Sequence, residues 1–245
     1  MVKKTKEVQG ELIYGIHPVV ELLKAKRRKL ISIYTTKPTP KQFTMIEKLM
    51  PQYPVQIQYV SRDVLTRMAG NTDHQGVVAW VQSFTFRKKP FDPEKNKFIL
   101  LLDSIQDTRN LGAILRSAYC TGVDGVIMTS KNSAPLNAVA VKSSAGLIEH
   151  LEIMQVQSAQ QAVQELAKLK YNIYLAMLNG ANAAKIDYQV PTCLVIGNEA
   201  VGITRGLEKF GTQITLPQKT TDISYNASVA AGILMFMIST QKGLV

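Results

Sequence analysis

Two cysteines, three histidines and one tryptophan are all that 245 residues offer of the side chains most used for disulfides, transition metals and broad aromatic platforms. Cys120 and Cys193 sit in apolar surroundings and read as small buried hydrophobes, in keeping with a reducing compartment. His17, His74 and His150 share no metal-ligand spacing with either cysteine, so no metal is expected. Acidic side chains are also scarce. Eighteen Asp and Glu face 29 Lys and Arg, a net charge of +11 that favours a polyanionic partner, nucleic acid before membrane. The longest apolar stretch, residues 229–238, falls well short of the roughly 18 residues a membrane helix needs. Residues 1–7 lack the apolar core of a signal peptide. The expectation is a cytoplasmic chain with no membrane association.

What the chain does have is apolar residues, at 46%, arranged in two patterns. Residues 1–82 alternate short helices and strands and read as one domain. Val20, Leu22 and Leu23 mark a helix, and residues 24–29 form a basic run. Residues 30–34 read as a strand. Phe43, Ile46, Leu49 and Met50 recur at helical spacing, and Val55, Ile57 and Tyr59 alternate as in a half-buried strand. Ser61 and Gly70 bracket a further helix, and residues 77–81 close the set. Residues 83–97 are polar, basic and hold two prolines, which predicts a linker. Residues 98–245 repeat strand and helix, with apolar strands at 98–102, 125–129, 172–177, 192–196 and 213–216. That pattern predicts an α/β domain with a mostly parallel sheet covered on both faces.

Three polar segments follow strand-like runs of this second domain. Asn110, Gly112 and Arg116 lie on a helix whose Leu111, Ile114, Leu115 and Ala118 face the core. Asn110 is the expected cap, and Arg116 near the helix start suits an RNA phosphate. Gly197, Glu199 and Gly202 form a tight loop that is not a dinucleotide fingerprint. Glu199 either accepts from a ligand or positions Arg116 through an ion pair. Ser224, Asn226 and Ser228 precede a last apolar helix that Asn226 caps. Singly, each segment fits a capped helix or a solvated loop equally well. For RNA contact the sequence offers residues 24–29, residues 87–89, His74 and Gln75.

Together and in this order, the segments resemble the three motifs of the SpoU family, the ribose 2′-O-methyltransferase branch of the SPOUT superfamily. The first is Asn110, Gly112 and Arg116. The second is Gly197, Glu199 and Gly202. The third is Leu216 and Pro217 followed by Ser224, Asn226, Ser228 and Ala230. Lys142, Gly146 and Glu149 also look like the family. Tyr14, Gly15, His17, Val20, His74, Gln75 and Gly76 resemble the subgroup that methylates guanosine in 23S ribosomal RNA. Thr108 stands where that pattern has proline, and Tyr225 and Ala227 where it has leucine and valine.

The resemblance implies a knotted SPOUT domain with a trefoil knot at 98–245. It also implies a small N-terminal α/β, ribosomal-protein-like RNA-binding domain at 1–82, and a homodimer. It implies S-adenosyl-L-methionine as methyl donor, bound by Met177, Leu178, Asn179, Gly180, Gly197, Leu216 and Tyr225. The implied catalytic set is Asn110, Arg116, Glu199, Ser224 and Asn226. Arg116 would take the 2′-hydroxyl proton or clamp a phosphate. The implied substrate is 23S ribosomal RNA. Transfer RNA, or RNA binding without catalysis on the same fold, are the alternatives.

Overall fold

The computed structural model describes residues 10–220 and 223–245, and its ladders form two separate sheets. The basic segment 1–7 lies outside the described residues. Contacts divide the chain into two units. One holds the residues up to Thr85 together with Leu136–His150, and the other holds Phe86–Pro135 and Leu151–Val245.

The first unit runs β1 (Gly10–Tyr14), α1 (Ile16–Ala25), β2 (Leu30–Thr35), α2 (Thr44–Glu47), β3 (Gln56–Tyr59), α3 (Arg62–Ala69) and β4 (Val77–Gln82). Its sheet order is β1-β4-β2-β3, with only the β2–β3 pair parallel. The helix expected from Phe43 to Met50 is a 3₁₀ turn at Lys41–Phe43 followed by the single turn α2. Pro38 and Pro40 before it and Pro51 and Pro54 after it leave no room for more. Ser61 caps α3 by accepting from Val64 N, and Gly70 ends it at φ 71°.

Two of the residues read as RNA contacts have other work. Arg28 is buried. Its guanidinium clasps Glu149, with Nε donating to Oε2 at 3.0 Å, and Nη1 donates to Glu11 Oε2 at 2.8 Å. A buried guanidinium needs such partners, so the basic run is basic on its outside only. His74 is fully buried. Its Nδ1 accepts from Gly76 N at 3.0 Å and its Nε2 lies 3.1 Å from Thr66 Oγ1. Burial first, then the Arg62 and Lys142 charges, lower its pKa. His74 shapes the turn at residues 74–76 and is out of reach of RNA.

The second unit runs β5 (Phe98–Leu102), α4 (Thr108–Cys120) and β6 (Gly125–Thr129), then, past α5 (Ala138–Ser143) of the first unit, β7 (Ile153–Val156) and α6 (Ala159–Lys168). It ends with β8 (Asn172–Asn182), β9 (Thr192–Ile196), β10 (Thr212–Thr215) and α7 (Ala227–Gln241). The sheet order is β10-β8-β9-β5-β6-β7 and every pair is parallel. β5, β6 and β9 are buried at every position, as strands covered on both faces must be. Phe91, from the stretch expected to be a linker, is buried in this unit's core, and Arg87 stacks over its ring at 4.7 Å. Arg87 also donates to the Lys89 and Pro90 carbonyls. Its fork holds this stretch in place.

From β5 the chain builds outward through β6 and β7. It then crosses back to lay β8, β9 and β10 on the other side. The order therefore reverses between β5 and β9, where an open parallel sheet forms its ligand crevice beyond the strands' carboxyl ends.

Candidate functional site

The loops after β5 and β9 meet at that crevice. Glu199, three residues past β9, accepts from Gln106 N and Asp107 N at 3.1 Å each and from Asn110 Nδ2 at 3.2 Å. Partial burial alone would raise its pKa. The hydrogen bonds, led by Gln106 N–H, outweigh that and hold it below the ordinary carboxylate value. Asn110 Oδ1 in turn accepts from Asn226 Nδ2 at 3.1 Å. Asn226 Oδ1 accepts from Ser228 N, Ser228 Oγ and Val229 N, capping α7 as expected. One directed chain thus joins all three polar segments.

Two expectations change. Asn110 does not cap α4. That helix begins two residues earlier, with Asp107 accepting from Asn110 N at 2.8 Å, which frees the Asn110 amide to bridge Glu199 and Asn226. Glu199 does not pair with Arg116, because its oxygens are taken by the loop after β5.

Sequence reading missed the frame beneath Glu199. Buried Asp103, just past β5, accepts from Thr204 N at 2.7 Å and from Ser104 Oγ at 3.1 Å. Asn198 donates to the Ser104 carbonyl at 2.8 Å and accepts from Ala200 N and Val201 N. These bonds pin both ends of the 198–204 loop to β5. The only signal was a lone Asp ending an apolar strand.

Beside this network lies an open cavity of about 390 Å³, within the range of small-molecule sites. Its lining includes Met177, Leu178, Asn179, Gly197, Glu199, Leu216, Ser224 and Tyr225. It also includes Ala227 and Ala230 of the third segment, and Ile196, Val201, Ile203, Ile214 and Leu234, which sequence reading had not assigned. Much of the wall comes from a break in pairing. β10 pairs with Leu175 and then with Ala181, so the intervening stretch of β8 bows away and lines the cavity. Gly180 is not in the lining. It lies where β8 rejoins β10, and a Cβ there would sit 2.7 Å from Gln213 C and Ile214 N. Asn110 and Asn226 stand at the network rather than in the lining. Arg116 is exposed and outside the cavity.

The chemistry of this lining is selective. Among the described residues Glu199 is its one charged side chain and no Lys or Arg lines it, although the chain carries a charge of +11. Such a pocket suits an apolar or cationic ligand and offers no cation to a phosphate. S-adenosylmethionine, part flat and apolar, part sulfonium, fits these residues. Met177, Leu178, Leu216 and Tyr225 would flank it, with neighbouring backbone groups as polar partners.

Solved structures share the fold. An RNA 2′-O ribose methyltransferase superposes with a TM-score of 0.83 at 18% identity, covering 97% of this chain and 90% of that one. The SpoU methyltransferase AviRb from Streptomyces viridochromogenes, solved with AdoMet, gives 0.80 at 20% identity over 96% and 92%. These likenesses define the class of fold, one shared with solved RNA methyltransferases. In sequence, the 23S rRNA (guanosine-2′-O-)-methyltransferase RlmB of Pasteurella multocida is 32% identical over 95% of this chain and 99% of its own. Residues 97–236 match the SpoU rRNA methylase family and residues 12–87 match the RNA 2′-O ribose methyltransferase substrate-binding family. The chain belongs to the SpoU rRNA methylase family.

Proposed function

We propose that the protein transfers a methyl group from S-adenosylmethionine to a ribose 2′-hydroxyl of RNA, at a guanosine of 23S ribosomal RNA. The observation that carries this is the cavity whose lining carboxylate, Glu199, is tied through Asn110 to Asn226. When bound, S-adenosylmethionine supplies an activated methyl group. The residues of this chain do the positioning. Glu199 fixes the loop after β5, and Asn110 and Asn226 hold the start of α7 against the start of α4. Ser224, exposed at the cavity wall, is placed to meet the ribose. Positioning of this kind is worth several kcal/mol, on the order of 7 in favourable cases. We propose no metal in this step. Among the described residues no group of three His, Cys, Asp or Glu side chains is placed to hold one.

Arg116 acts in this proposal as a phosphate clamp, since a guanidinium stays protonated and is a poor base. It lies about 1.7 turns along α4 from Asn110, about 9 Å by helical rise, so a second copy of the chain is the natural source of the arginine that completes each site. α7 supports such a homodimer. Its Ala231, Leu234, Met235 and Ile238 are buried, while Val229, Ile233 and Phe236, at i, i+4 and i+7, form an exposed apolar stripe. A helix apolar all round is one that becomes covered. The trefoil knot and a cytoplasmic location belong to the same proposal. Residues 98–245 would carry the chemistry and residues 1–82 the RNA contact. Among the described residues no helix is long and apolar enough to cross a membrane. Calorimetric titration with S-adenosylmethionine, followed by methyl transfer to ribosomal RNA, tests the proposal.

A further inference from the structure

β4 carries the chain's one tryptophan. Trp80 pairs with Leu12 of β1 and with Ser32 of β2, and it is 39% exposed. Its diagonal neighbour on the edge strand is Gly10. A Cβ on Gly10 would sit 2.2 Å from Trp80 Nε1 and only a little farther, 2.7 and 2.9 Å, from Cε2 and Cδ1. The indole therefore turns a face toward the edge strand and lies over backbone, where any side chain would displace it. The residue as a whole keeps 39% of its surface exposed.

An aromatic ring over an edge glycine stabilises a sheet by itself, which accounts for the covered face. It does not account for the frame around the exposed remainder. Gln82, two residues along on the same face, is exposed. The adjoining strand presents exposed Lys29, whose carbonyl accepts from Gln82 N at 2.8 Å. Between Gly10 and Thr85 the sequence has ten Lys and Arg against five Asp and Glu. Two of the five, Glu11 and Glu21, are engaged with Arg28 and with Lys24 and His150. The unit that carries the ring thus has an excess of positive charge, with Lys29 beside the ring's own strand.

We infer that Trp80 is a stacking platform for an unpaired RNA base, with Lys29 set for the adjacent phosphate and Gln82 for the base edge. This rests on the reading of the first unit as the RNA-binding unit, and it names the form of RNA that unit takes. Paired RNA presents no free base face. Single-stranded loops do, and they are read by stacking on aromatic side chains.

Because Trp80 is the one tryptophan, emission excited selectively in the indole band, clear of the nine tyrosines, reports on it alone. The probes are a labelled single-stranded oligoribonucleotide and a blunt duplex of the same length, with binding followed separately by the label's anisotropy. The expected result is quenching by the single strand, with the same midpoint as its binding, and none by the duplex. Trp80→Phe should keep single-strand affinity, and Trp80→Leu, which still covers Gly10, should lose about tenfold. Single-strand binding with unaltered fluorescence and no loss in Trp80→Leu would overturn the stacking site and leave the RNA-binding reading intact. Failure to bind either RNA would overturn both.

Discussion

Asn226 donates its side-chain N–H to Oδ1 of Asn110 at 3.1 Å, across 116 residues of sequence. Asn110 Nδ2 already points at Glu199, so both amides have a fixed orientation. The start of α7, the start of α4 and the loop after β9 are set against one another by this bond and its neighbour. The first prediction follows. Asn110→Ala removes the middle of the relay while leaving the α4 cap, Asp107, in place. Methyl transfer should fall about 10²-fold, the scale of a small misplacement of reacting groups, with the fold retained by circular dichroism. A fall of less than threefold would show that the relay does not position the reaction.

Glu199 has a lowered pKa, so its ionised form is favoured in the folded state. The sign is that of a depressed carboxyl. The interaction is fully present above the ordinary value of 4.5 and is lost as pH falls through the lower folded value. Binding of S-adenosylmethionine, titrated from neutral pH downward, should hold steady and then weaken only below about pH 4.5. Glu199→Gln should bind more weakly at neutral pH and lose that acid limb. A transition near neutrality belonging to Glu199 would contradict this geometry.

Arg28 and Glu149 have side chains only 3% and 1% exposed. Removing Glu149 leaves the buried guanidinium with the more exposed Glu11 as its one remaining carboxylate, so Glu149→Ala should cost about 3 kcal/mol in urea unfolding. Replacing both, as Arg28→Met with Glu149→Leu, should recover most of that loss. If Arg28 were instead an RNA contact, the double variant would bind RNA poorly. Unchanged affinity is expected.

Phe236 is 58% exposed on the open stripe of α7. Phe236→Asp should convert a dimer to a monomer in sedimentation equilibrium. Methyl transfer should fall with it by about 10²-fold, because Arg116 would no longer reach the second chain's site. A monomeric wild type, or full activity in a monomeric variant, would remove the partner's arginine from the account.

The architecture was legible wherever one local rule decided it. Continuous apolar runs marked β5, β6 and β9, and Ser61 and Asn226 are caps in the structure as in the sequence. β1 and β7 were not read, because five- and four-residue strands with mixed burial carry little periodicity. The site was legible as three polar segments and, through the family resemblance, as one constellation. Its wiring was not. Whether an asparagine caps its helix or bridges two loops depends on where the helix starts, and Asp107 competed for the same role. Asp103 and Asn198 were invisible for a related reason. Their partners across the site are backbone, Thr204 N for Asp103 and the Ser104 carbonyl for Asn198, which leave no trace in the choice of side chain. Arg28 and His74 misled because burial, not composition, decides whether a cation or a histidine meets a ligand.

The most direct test is mass-spectrometric mapping of ribose methylation in ribosomal RNA after incubation with the purified protein and S-adenosylmethionine carrying an isotope-labelled methyl group. The account predicts one labelled ribose, on a guanosine of 23S ribosomal RNA, formed about 10²-fold more slowly with Asn110→Ala. Label on a base rather than a ribose, or no label although S-adenosylmethionine binds, would contradict it.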